Sequence, residues 1–126
     1  MRNRQPPLPP NFASRAYLGL NNVVEGSVSP LRYYEVTNAH HLDSFNQFPG
    51  YNTMFIPLHR YFIQAMDLMF DHLRHGRLLP PSQVVRTTPR GVGAPAITLG
   101  NVPPIADAPP PSAQITFAGG QVRIPD

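Results

Sequence analysis

Two adjacent histidines, His40 and His41, follow the run Leu31-Arg32-Tyr33-Tyr34-Glu35-Val36-Thr37 and precede Leu42-Asp43. Imidazole titrates close to neutral pH, so a histidine here can take the proton of a hydroxyl nucleophile and return it to a leaving alkoxide. The competing reading is that both are solvated loop residues, or that one caps a helix. The chain's six serines are Ser14, Ser27, Ser29, Ser44, Ser82 and Ser112, and none lies in a Gly-x-Ser-x-Gly elbow. Asp43 follows His41 by two residues, too near for an orienting acid, and suits a helix start. His59, His72 and His75 are candidate metal ligands, but no carboxylate and cysteine arrangement completes a zinc set, so no metal is expected. His72 and His75 read instead as cations or donors at a helix C-terminus.

Other chemistry is thin. Met54, Met66, Met69, Phe55, Phe62 and Phe70 could line an apolar pocket, but at helical spacing they read as core. Gly91 to Gly93 beside Arg90 is too short to cradle a phosphate. No cofactor is expected.

The elements that would position the histidines can be read from patterning. Residues 1–10 are a Pro-rich lead-in that can form neither helix nor central strand. Asn11 reads as an N-cap, and Phe12, Ala16, Tyr17, Leu20, Val23 and Val24 recur at helical spacing, predicting a helix over 12–25 stopped by Gly26. Residues 31–37 read as a strand, which places both histidines in the loop after it. Leu42, Phe45 and Phe48 suit a short helical turn. From Tyr51 to Arg74 a 3.6-residue period through Phe55, Leu58, Phe62, Ala65, Met66, Met69 and Leu73 predicts one long helix, with Pro57 in its first turn and Gly76 as its stop.

After Arg77 the composition changes. Residues 79–86 look extended, and 88–111 hold too many Pro and Gly residues for regular structure. Two short runs in 115–124 flank Ala-Gly-Gly-Gln and resemble a hairpin that needs a surface to pack on. The division is therefore 1–10 lead-in, 11–78 packed part, and 79–126 extended strap. One strand with two amphipathic helices does not make a sheet, so the chain is expected to be the C-terminal part of a larger α/β domain.

Composition narrows the class further. The ten cations, all arginine, are scattered along 126 residues with a formal net charge of +3, so no nucleic-acid partner is expected. There is no cysteine, hence no disulfide or thiolate site. Met1 is followed by Arg-Asn-Arg-Gln-Pro-Pro, without the apolar stretch of a signal peptide, and no run approaches a membrane span.

A histidine after a strand and ahead of a helix is where an α/β hydrolase holds its general base. In that fold the triad order is Ser, then acid, then His, so a C-terminal piece would hold the histidine alone. The runs PPNFASRAYLGLN, LRYYEVTNAHHLDSFN, GYNTMFIPLHRYFIQAMDLMFDHL, LPPSQVVRTTPRG and APAITLGNVPPI resemble the C-terminal region of the 3-hydroxybutyrate oligomer hydrolases. The resemblance covers nearly the whole chain from about Pro9. It implies a serine esterase with an α/β-hydrolase-like catalytic domain, acting on small-molecule substrates, the dimers and short oligomers of (R)-3-hydroxybutyrate, in polyhydroxybutyrate breakdown at an extracellular location. It also implies that His41 is the triad base, at the family's Asn-Ala-Gln-His-Phe-Asp position. His40 stands where that pattern has Gln, and Leu42 where it has Phe. The nucleophile, oxyanion hole and acid would lie in a missing N-terminal part, so the chain is expected to be inactive alone. The rival expectation is a non-enzymatic helix-plus-strap interaction module. That module would close its own core, whereas a fragment would leave an apolar face open on the 54–75 helix.

Overall fold

The structure is a computed structural model that describes residues 11–126, and the lead-in over 1–10 lies outside the described residues. In chain order it contains α1 (Asn11–Glu25), β1 (Tyr34–Val36), α2 (Tyr51–Met54), α3 (His59–His75), β2 (Gln83–Val85), β3 (Thr116–Ala118) and β4 (Gln121–Arg123). Short 3-10 turns occupy Gly26–Val28, Asp43–Gln47 and Pro111–Ala113.

The expected long helix is two helices. Pro57 supplies no backbone N–H and drives the preceding residue out of helical conformation. Phe55 is extended, and Ile56, the residue before the proline, leaves the helix to bridge Ala39 in parallel. Pro57 therefore lies outside α3 and not in the first turn of one long helix. At the other end Gly76 adopts φ 70° and donates its N–H to the His72 carbonyl, closing α3 where the sequence predicts a stop. Asn11 lies within α1 rather than acting as a cap outside it. Its Nδ2 donates to Glu35, and its Oδ1 has no hydrogen-bond partner among the described residues.

The strap holds a strand. β2 lies within 79–86 and pairs in parallel with β1, matching Tyr34 to Gln83, Glu35 to Val84 and Val36 to Val85. The segment from β1 through α3 to β2 is thus a strand-helix-strand crossover, the kind of connection parallel pairing requires. All three β2 residues are buried, which explains why Gln83-Val84-Val85 lacks a polar face. Its one polar member is satisfied: the Gln83 amide donates to Ala106 O and accepts from Ala106 N–H, both at 2.9 Å.

Neighbouring strand residues point to opposite faces, and the core divides accordingly. Val85 joins Ile56, Tyr61, Leu68, Val102 and Ile105 on the α3 side. Val84 joins Leu18 and Ile115 on the α1 side. The result is helix, two-stranded sheet, helix in three layers, with strap residues in both clusters. The hairpin forms with Gly119 and Gly120 at φ 60° and 73°, as a two-residue primed turn demands. Its surface is α1, where Val122 comes so near Gly19 that a Cβ there would lie 3.1 Å from Cγ2 of Val122.

The helices do not bury the faces that the periodicity picks out. On α3 the inward residues are Tyr61 and Leu68, whereas Phe62, Met66, Met69 and Leu73 are exposed, Leu73 to 75%. On α1 Leu18 is buried while Phe12, Tyr17, Leu20, Val23 and Val24 face outward. The apolar stripes are present at the expected spacing, but they point away from this sheet.

Candidate functional site

β1 ends at Val36, and the chain then turns through residues that are each anchored elsewhere. The Thr37 N–H donates to Val85 O at 3.1 Å, and the Thr37 hydroxyl accepts the Thr87 N–H at 2.9 Å. Thr87 returns its own hydroxyl to Thr37 O. Asn38 has φ 54°, a left-handed conformation asparagine tolerates better than most residues, and its Nδ2 donates to Thr87 O at 2.9 Å. Its carbonyl accepts the Ile56 N–H at 2.8 Å, and Ile56 is only 1% exposed.

The two histidines then diverge. His40 is buried to 7% exposure among Phe45, Tyr51 and Phe55, with ring centroids 5.1, 5.7 and 5.4 Å away. Its Nδ1 accepts the Leu42 N–H at 3.3 Å, which requires that nitrogen to be without a proton. The aromatic box and this bond clamp the backbone on both sides of position 41.

His41 itself is exposed and makes no hydrogen bond among the described residues. Two residues on, Asp43 accepts the Leu58 and His59 N–H groups with its two carboxylate oxygens, each at 2.8 Å. Those donors open α3 and have no partner within the helix, so the carboxylate both caps it and complements its positive end. Asp43 does serve a helix start, across 15 intervening positions rather than at the adjacent turn.

The arrangement is a short, tethered loop that holds one imidazole out to solvent between fixed neighbours. It can present a proton acceptor in a defined place. The buried Ser82 hydroxyl accepts the Tyr33 N–H, and Ser29 donates to Asn21 Oδ1. No hydrogen bond joins a serine hydroxyl to His40 or His41 among the described residues. No group of three His, Cys, Asp or Glu side chains able to hold a metal occurs among them either. His72 Nδ1 lies 2.7 Å from Arg77 O, and His75 faces Asp71 one turn back, roles that belong to the end of α3.

A second polar cluster was not visible in the sequence. Glu35 of β1 is met by Arg15 through both oxygens, by the Tyr33 hydroxyl at 2.9 Å and by Asn11. Burial pushes the Glu35 carboxyl up, but hydrogen bonds from Arg15, Tyr33 and Asn11 prevail and hold it below the usual carboxylate range. Burial and the neighbouring carboxylate push the Tyr33 hydroxyl up. These groups tie α1 to β1. Beside them an open cleft of about 400 Å³ is lined by Ala13, Tyr17, Leu18, Leu31 and Arg32. The spacing from Arg15 to Glu35 follows no local period, so only the folded chain brings them together.

Comparison with known proteins adds the following. The family model described as 3HB-oligomer hydrolase (3HBOH) matches residues 4–126. A D-(-)-3-hydroxybutyrate oligomer hydrolase of Polaromonas naphthalenivorans is 56% identical over 122 residues, covering 94% of this chain and 17% of that protein. Proteins of the same name from Paraburkholderia xenovorans and an Azoarcus species are 51% and 53% identical, covering 17% and 18% of their own lengths. The chain therefore spans about one-sixth of the relatives it matches. No solved structure matches.

Proposed function

Because the chain belongs to the 3HB-oligomer hydrolase family, we propose that it is the histidine-bearing part of an enzyme that hydrolyses ester bonds in dimers and short oligomers of (R)-3-hydroxybutyrate. The observation that carries this reading is the match along almost the whole chain, through the irregular strap as well as the helices, to long relatives of that name. The parallel strand pair with a helix on each face supports its placement in an α/β-hydrolase-like domain.

In this reading a serine from the part of the enzyme outside the chain attacks the ester carbonyl. His41 accepts its proton and passes it to the departing hydroxybutyrate oxygen. Water, activated by the same imidazole, then releases the acyl group and restores the serine. The tethers at Thr37, Asn38, His40 and Asp43 act by fixing where that imidazole sits. The chemistry needs no cofactor. An extracellular location belongs to the same proposal, and is checked by partition of the activity between medium and cells. No helix among the described residues is long and apolar enough to cross a membrane. A self-contained interaction module is disfavoured, since the apolar stripes of α1 and α3 stay uncovered outside the closed core.

The test is a chimera in which this chain replaces the matched segment of the Polaromonas naphthalenivorans relative. His41→Ala should lower kcat/KM on hydroxybutyrate dimer by at least about a thousandfold, and His40→Gln should leave it within about tenfold. The 126 residues alone should show no hydrolysis. Full activity of the His41→Ala chimera, or dimer cleavage by the isolated chain, would overturn the assignment.

A further inference from the structure

The two faces of the small sheet and its two edges are not equally finished. Backbone groups of β1 alternate between its edges. Tyr33 O accepts the Gln83 N–H at 3.0 Å and the Thr37 N–H reaches Val85 O, while the Tyr33 N–H goes to the Ser82 hydroxyl. Residues 33, 35 and 37 thus turn toward β2, and Tyr34 and Val36 turn their N–H and C=O groups to the opposite edge. There they find no backbone partner among the described residues. The far edge of β2, by contrast, is closed: Gln83 bridges Gln114, and the Ile115 N–H donates to Ser82 O at 2.9 Å. Among the described residues the sheet ends at β2 and is open at β1.

Both covering helices are open as well, and on opposite sides of the sheet. α1 turns Tyr17, Leu20 and Val24 outward, and α3 turns Phe62, Met66 and Leu73 outward, each set at the spacing of a buried stripe. A soluble surface seldom leaves apolar stripes of this kind uncovered on two faces. A second copy related by a two-fold axis would cover one self-complementary patch and leave the other bare. One large body reaching around the β1 edge covers all three features, and the relatives are about six times as long as the segment they share with this chain.

We propose that the free edge of β1 and the outward stripes of α1 and α3 form the seam on which the rest of the hydrolase is built, a strand of that remainder pairing with Tyr34 and Val36. This rests on the family reading above. The sheet continues past β1, and β2 with the strap is its outer border. His41, in the loop after β1, accordingly follows a strand one in from that border.

Hydrogen exchange tests it, run on the isolated chain and on the same chain spliced into the Polaromonas naphthalenivorans relative. The Tyr34 and Val36 amides should exchange at least about a hundredfold more slowly in the chimera than in the isolated chain. The Glu35 amide, already turned toward β2, should be protected in both. Met66→Asp and Leu20→Asp should lower the thermal midpoint of the chimera and leave that of the isolated chain unchanged. Equal exposure of Tyr34 and Val36 in both contexts would overturn the proposal. So would an isolated chain that sediments as a dimer with those amides and both stripes protected. A chimera that cleaves hydroxybutyrate dimer without protecting the two amides would refute the seam and leave the functional reading standing. Protection without cleavage would do the reverse.

Discussion

Asp43 gives both carboxylate oxygens to the first N–H groups of α3, so one side chain joins the histidine loop to the helix behind it. Asp43→Ala should cost about 1 to 2 kcal/mol in urea unfolding and speed exchange at Leu58 and His59. Asp43→Asn, which keeps one acceptor, should cost less. Its role in starting a helix is legible in the sequence, because an acid so near His41 cannot reach round to orient it. Which helix it starts is not, since the partner lies beyond two intervening turns. The contrast between the histidines has the same origin. Their loop placement follows from the strand before them, but the burial of His40 depends on Phe45, Tyr51 and Phe55 converging from three different local structures.

At the level of elements, the contact between α1 and β1 is electrostatic at its centre. The folded Glu35 carboxyl titrates below its ordinary value, so the stability it contributes is fully present above the unfolded value of about 4.3 and is lost as pH falls through the lower folded value. The thermal midpoint of Glu35→Gln should therefore lie below that of the native chain at neutral pH, and the gap should narrow as the pH drops from about 5 towards 3. Arg15→Ala should cost about 1 to 3 kcal/mol, because it leaves a half-buried carboxylate short of its main donor. Element identity was readable where a local rule decides it: the Gly76 stop, the Gly-Gly hairpin turn, and the C-terminal end of α1 at Gly26. The break at Pro57 was also written in the sequence, in the bar that proline sets on its own N–H and on the conformation of Ile56. β2 was harder to see. A three-residue buried strand shows no alternation, and only its pairing with β1 distinguishes it from the extended strap around it.

For the molecule as a whole, hydrophobic periodicity marks a helix face without saying what that face meets. The stripes through Phe62 and Met66 and through Tyr17 and Leu20 were correctly placed along their helices, yet the sheet in this chain takes the other side of each. The residues of the actual centre come from everywhere: Ile56 from a break, Val85 from a buried strand, Val102 and Ile105 from a proline-rich segment. Ile56→Ala should cost about 2 to 5 kcal/mol. Because the buried Ile56 side chain anchors the segment whose backbone N–H holds the Asn38 carbonyl, its truncation should loosen the histidine loop and slow the chimera's hydrolysis more than Leu73→Ala does, a comparison of kcat/KM that separates the two sites.

The tether between Thr37 and Thr87 crosses 50 residues and joins the histidine loop to the far side of α3. A nonsense mutation early in the strap would leave His41 encoded and translated, yet would remove β2 and the hydroxyl that fixes the turn before it. Under the role proposed for His41, loss of function by premature termination would then reach far downstream of that residue, and such alleles would behave as nulls while still making a polypeptide that contains the imidazole.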